Sequence, residues 1–174
     1  MYPNRTDRPV YRFEGKLTHS APIGPVTDGV RADNRFEGTI TEGLLRGAHV
    51  DGIDHFRVRY DGVGIVDAYE VVTLGADSVG VRVQGYVLPP AGMPVPSKED
   101  LSSPDFAWPD VPFRIECFAT FETASPAHAH LNRTTVVHVG SVNLATGQLV
   151  VEAYLPGAVE SRPQPRDAYA GYPG

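Results

Sequence analysis

Phe56-Arg57-Val58-Arg59-Tyr60-Asp61-Gly62-Val63-Gly64-Ile65-Val66-Asp67-Ala68-Tyr69-Glu70-Val71-Val72-Thr73 decides the fold class. Two runs rich in β-branched and aromatic residues flank Asp61-Gly62, a dipeptide that suits a tight hairpin because Gly accepts φ > 0. The apolar period is about two, which reads as strand, not helix. The same reading extends outward to Tyr11–Thr18, Arg35–Thr41, Val79–Leu88, Phe113–Thr123, Arg133–Val139 and Gln148–Leu155, with Ala145-Thr146-Gly147 as a second hairpin connection. With Phe56–Tyr60 and Val63–Thr73 this makes about eight strands. Eight is the number at which a closed antiparallel barrel has an interior fit for one small ligand. The expected fold is all-β: a single barrel over residues 1–155 with a ligand pocket, and no run with convincing helical spacing.

Two segments depart from the pattern. Residues 89–112 carry seven prolines and the sole tryptophan, Trp108, and so cannot form a central strand. This long loop is read either as a lid, with Trp108 and Phe106 offering an apolar face to a barrel mouth, or as surface packing. Residues 156–174, rich in Pro, Gly, Ala and Tyr, read as a flexible tail.

Composition bounds the function. A chain of 174 residues buries a core without metal or disulfide. Fifteen basic against 21 acidic residues, with no basic stripe, argue against a nucleic-acid partner. A lone Cys117, no apolar leader after Met1 and no run near the roughly 20 residues that span a bilayer argue for a soluble cytoplasmic protein without membrane contact. The Asn-Arg-Thr sequons at Asn4 and Asn132 are read as chance, and Cys117 as a small packed hydrophobe. No dinucleotide fingerprint, phosphate loop or Gly-x-Ser-x-Gly elbow is present.

The order of short motifs resembles a family of small barrels catalogued as domain of unknown function 3237. Phe36-Glu37-Gly38, Gly43-Leu44-Leu45-Arg46-Gly47, Gly52-Ile53-Asp54-His55, Asp61-Gly62, Asp67-Ala68-Tyr69, Phe121-Glu122-Thr123 and Leu131-Asn132 carry the resemblance over roughly Tyr11 to Leu155. The chain departs from the family pattern in having His55 where Trp is usual, His128-x-His130 in place of Tyr-x-Trp, and Tyr69 in place of Arg. The resemblance implies a barrel with a pocket at one end and no particular reaction.

Candidate chemistry comes from the residues. Asp54 and His55 at a Gly-flanked corner form a candidate acid/base pair, the alternative being a turn cap beside an exposed ring. Glu122 shares a strand face with Glu116, Phe118 and Thr120; if that face points inward, the two carboxylates suit general acid/base work, and if outward they are solvated charges. His128 and His130 project the same way from an extended chain, either lining a pocket or, with His138, His55 or Glu122, completing a metal site. Asn132 offers donor and acceptor to an oxyanion, or holds a turn. The candidate catalytic residues are thus Asp54, His55, Glu122 and His128; Tyr69, Glu116, His130, Asn132 and Trp108 are candidate substrate-binding residues. Cofactor-independent proton transfer on a partly apolar carbonyl metabolite, as an isomerase, cyclase or dehydratase, leads. A lipocalin-like binding barrel is the alternative, and a His-ligated metal enzyme ranks below. The expected partner is a small molecule, with a homo-oligomer left open.

Overall fold

The computed structural model describes residues 8–156, and the expected tail over 156–174 lies outside them from its second residue onward. Eight strands close into one antiparallel barrel in chain order: β1 Tyr11–Val26, β2 Gly29–Gly43, β3 His49–Val58, β4 Gly64–Leu74, β5 Asp77–Leu88, β6 Pro112–Glu122, β7 Thr135–Asn143 and β8 Gln148–Tyr154. Closure comes from β1 pairing with β8, from Tyr11 opposite Ala153 to Lys16 opposite Gln148. No sheet edge is left within the closed section, which removes the unpaired donors of an open sheet.

The strand pattern differs from the sequence reading mainly in the first hairpin. β1 runs to Val26 despite Pro22 and Pro25, with register shifts at Arg12/Phe13, Leu17/His19 and Pro22/Gly24. Proline is admissible there because the pairing of β1 with β8 stops at Lys16 opposite Gln148, so the far half of β1 has a partner on one side alone. β3 begins at His49 and not at Phe56, so Asp54 and His55 lie mid-strand and not at a corner.

Alternation assigns each strand face. Residues such as Phe13, Phe36, Val66, Val83, Ile115, Cys117 and Val151 are buried and form one continuous core. One end of the barrel is plugged. Leu45, held at φ 60 between Gly43 and Gly47, and Leu131, on a 3-10 helix over Pro126–Arg133, are buried with Val50, Val72, Val79, Phe121 and Val136. A left-handed leucine is strained by about 1 kcal/mol or more, offset here by burying its side chain.

At the other end the Pro-rich segment crosses the mouth. It holds a short helix α1, Lys98–Ser102, begun by a reciprocal cap in which Asp100 N–H donates to Ser97 Oγ (3.0 Å) and Ser97 N–H to Asp100 Oδ2 (3.1 Å). Trp108 packs edge-on between Phe106 (5.0 Å) and Phe113 (5.6 Å), anchoring the segment to β6. No helix among the described residues is long and apolar enough to cross a membrane.

Candidate functional site

A cavity of about 80 Å³ lies inside the barrel on the mouth side of the plug. One water needs ~10–15 Å³ by this measure, so the space takes a small organic group. Its wall is largely apolar, with Phe13, Phe36, Phe56, Val66, Val83 and Ile115 among its lining, yet Asn34, Asp54, Glu70, Cys117 and His138 also face it. A vestibule of about 440 Å³ under Phe106 and Trp108 shares Leu17, Asn34, Phe56 and Leu144 with the cavity, which makes the mouth the route in.

Strand alternation places the carboxylates. Val50, Gly52, Phe56 and Val58 of β3 are buried, and Asp54 shares their face; Val66, Ala68 and Val72 of β4 are buried, and Glu70 shares theirs. Asp54 pairs with Ala68 and Gly52 with Glu70, so Asp54 and Glu70 are diagonal neighbours on adjacent strands. Gly52 keeps this region open to Phe36: a Cβ there would meet the Phe36 ring at 2.3 Å. Burial, opposed by a hydrogen bond from the Asp67 backbone N–H (2.9 Å), pushes the Asp54 carboxyl up to about 7. Burial and the neighbouring Asp54 push Glu70 up to about 7. Glu70 is part-buried by area because it also borders a groove on the outer wall with Asp51, Tyr69 and Arg82. Its inward strand position and place in the cavity wall make desolvation the governing effect.

On the cavity's plugged side, the Tyr11 hydroxyl lies 2.5 Å from His138 Nε2, with the rings edge-on at 5.7 Å. Burial pushes His138 down to about 4 and raises Tyr11 well above its usual value. The imidazole is therefore neutral at pH 7. Cys117 is pushed up to about 12 by burial, so it stays a thiol and packs as the sequence suggested. Asn34 is 7% exposed, and neither its amide nor the Glu70 carboxyl makes a hydrogen bond among the described residues.

Of the candidate catalytic and substrate-binding residues proposed from sequence, Asp54 alone reaches the inner wall; His138, weighed as a metal ligand, also faces it. His55, the next residue on β3, faces outward, with Nδ1 3.0 Å from Asp33 Oδ1; that contact and Arg31 hold the Asp33 carboxyl below its usual range. Glu116 and Glu122 do share a face, but it is the outer one, since Ile115, Cys117, Ala119 and Phe121 are the buried residues of β6. Glu116 pairs with Arg114 at 2.9 Å and Glu122 is exposed. His128 and His130 lie on the 3-10 helix and not on an extended chain; His128 is 3.6 Å from Asp77, and His130 is exposed. Asn132 holds the turn: its Oδ1 accepts from Thr123 N–H (2.7 Å) and its Nδ2 donates to Thr123 O (2.9 Å). Tyr69 is 47% exposed on the outer wall beneath the Arg82 guanidinium. Trp108 lines the vestibule. Among the described residues no three His, Cys, Asp or Glu side chains converge as a metal site.

Glu70, Asn34 and Tyr11 were missed, and His138 was considered as a metal ligand alone. The available signal was phase: a polar residue in step with Val66, Ala68 and Val72, or with Val136 and Val142, faces the interior.

Residues 6–155 match the family described as protein of unknown function DUF3237. The chain belongs to that family. A β-barrel-like protein from Acinetobacter baumannii AYE superposes with a TM-score of 0.64 at 23% identity, over 89% of this chain and 98% of the other. A conserved protein of unknown function from Rhodopseudomonas palustris does so with a TM-score of 0.65 at 19% identity, over 88% and 98%. A structure described as an enzyme from Penicillium herquei is similar with a TM-score of 0.53 at 17% identity, over 88% and 96%. At these identities the likeness is one of fold. No curated protein matches the sequence.

Proposed function

We propose that this family member is a cofactor-independent enzyme that moves a proton on a small, partly apolar carbonyl compound, in an isomerisation, cyclisation or water elimination. The observation that carries the reading is the placement of Asp54 and Glu70 as diagonal neighbours on the inner wall of a mostly apolar cavity with no Lys or Arg in its lining among the described residues. Burial raises both carboxyls to about 7, Glu70 with a contribution from Asp54, so near neutral pH one can be protonated while the other is ionised. One member, ionised, takes a proton from the carbon beside the carbonyl; the other, protonated, gives one to the carbon or oxygen that must gain it. The atoms balance without a cofactor, and the pair returns to its starting charge. The apolar wall and the segment over the mouth keep water from competing.

The apolar lining also favours a second reading, a non-catalytic carrier of an apolar metabolite. Solvent exchange separates the two. In D2O, NMR of enolisable probes such as 2-cyclohexenone and cyclohexanone is expected to show deuterium entering the carbons next to the carbonyl faster with the protein than with buffer. Retention of these probes with no exchange above buffer would leave the carrier.

A further inference from the structure

His138 is a cavity-lining side chain whose orientation is set by a hydrogen bond to another side chain, the Tyr11 hydroxyl. It sits on β7 opposite Cys117 and Ala153, is 4% exposed and lines the cavity, whereas Tyr11 does not. Tyr11 is buried, and its hydroxyl has His138 Nε2 as its sole hydrogen-bond partner among the described residues. A buried O–H must find an acceptor. If Nε2 carried the ring proton, the tyrosine hydrogen would have none; if Nε2 is bare, the hydroxyl donates to it and both groups are satisfied. The ring proton then sits on Nδ1, since burial keeps the imidazole singly protonated at neutral pH. Nδ1 makes no hydrogen bond among the described residues, nor is it among the fully enclosed side-chain atoms left without a partner. It is an N–H with no acceptor among the described residues, on a ring that lines the cavity.

We propose that His138 Nδ1–H is the donor that binds the substrate's carbonyl oxygen, with Tyr11 as the residue that positions it, so that the cavity selects an uncharged carbonyl group. This rests on the proton-transfer reading above. When Asp54 or Glu70 removes the adjacent proton, the C–H electron pair becomes the new C=C bond and the C=O π pair moves onto oxygen. The oxygen charge grows against Nδ1–H, a neutral donor that needs no rearrangement to meet it. A neutral imidazole suits this role beside two acids because it holds its hydrogen bond without taking up the proton being moved.

The test begins with the tautomer, which needs no ligand. Long-range 1H–15N correlation on imidazole-labelled protein at pH 7 is expected to show His138 as the Nδ1–H form, and as a mixture of forms in Tyr11→Phe. An Nε2–H form in the native protein would overturn the assignment. Saturating 2-cyclohexenone is expected to move the Nδ1 resonance, and an unmoved resonance would overturn it as well. In the exchange assay, His138→Leu is expected to lose at least tenfold in rate, and His138→Asn, whose amide places an N–H near the Nδ1 position, to recover part of it. Should His138→Leu not fold, Tyr11→Phe and His138→Asn carry the test. Exchange that needs Asp54 and Glu70 but is indifferent to His138 would remove this assignment and leave the carboxylate reading standing. No exchange by the native protein would remove both.

Discussion

The two ends of the barrel are built from the same eight strands and hold opposite kinds of side chain. The plugged end is finished by Leu45, Leu131, Val50, Val72 and Val136, and its polar groups are spent on structure: Asn132 on the Thr123 backbone, His128 on Asp77. On the mouth side, the apolar interior contains Asp54, Glu70 and Asn34, of which Glu70 and Asn34 have no side-chain partner among the described residues. Desolvating a polar group without compensating it costs free energy. A barrel that ties Asn132 and His128 into its structure at one end and, among the described residues, leaves Asn34 and Glu70 unpartnered in a cavity at the other has given up stability there in favour of what the cavity binds.

The widest break in that comparison is predicted for rate. Asp54→Asn and Glu70→Gln should each slow carbonyl-adjacent exchange by about 10²–10⁴-fold, the usual worth of a positioned acid or base. Glu122→Gln, on the outer wall near the plugged end, should leave it within about twofold. A large loss in Glu122→Gln with native rates in the other two would invert the assignment of the ends.

Next comes stability. Leu131→Ala at the plug should cost about 2–5 kcal/mol in urea unfolding, since a fully buried leucine is removed where the strands above it cannot collapse. Asn132→Ala should cost about 1–2 kcal/mol by releasing both Thr123 backbone groups. Exchange per folded molecule should survive both changes, and loss of exchange in a folded Asn132→Ala protein would return that residue to the site.

Much of this was legible in the sequence. Eight period-two runs and their Gly turns suffice for a barrel, because alternation is a local property of the chain. The site was not, because a cluster such as Glu122, His128, His130 and Asn132 looks like chemistry wherever it lands, while its direction depends on strand phase and on how a connection folds. The 3-10 helix begun at Pro126 put both histidines outside the cavity. Asp54 was found for its chemistry but placed at a corner, and starting β3 at His49 is what turns it inward and His55 outward. Glu70 was hidden by the opposite effect, one acid among the apolar residues of its strand face, Val66, Ala68 and Val72.

A pH comparison sharpens the contrast further. The Asp54 carboxyl titrates near 7 when folded, against an ordinary 3.8. Below pH ~4 it is protonated in both folded and unfolded chains and has no effect. Between about pH 4 and 7 the unfolded chain gives up a proton that the folded one retains, so stability falls as pH rises, and above about 7 the full loss is in place. Asp54→Asn cannot ionise. It should match the native protein near pH 4 and exceed it by about 1–3 kcal/mol at pH 8, a figure held below the full single-site value because Asp54 and Glu70 are coupled. His138, pushed down to about 4, titrates in both proteins and cancels. Urea unfolding at pH 4 and 8 reads the difference directly, and an equal gap at both values would sink the claim that burial of Asp54 costs stability.

The smallest predicted effect tests the mouth itself. Trp108 joins Phe106 to Phe113 and lines the vestibule, so Trp108→Ala should free the crossing segment without opening the barrel. Release of a bound apolar fluorophore, followed by stopped flow, should quicken about tenfold, equivalent to about 1.4 kcal/mol, with the unfolding midpoint shifted far less than by Leu131→Ala. Leu131→Ala in turn should leave the release rate unchanged, since it lies beyond the cavity floor. If Trp108→Ala lowers stability and leaves release untouched, the segment is surface packing and the ligand enters elsewhere. If release quickens in Trp108→Ala alone, the two ends divide their work, one holding the barrel closed and the other governing access to Asp54 and Glu70.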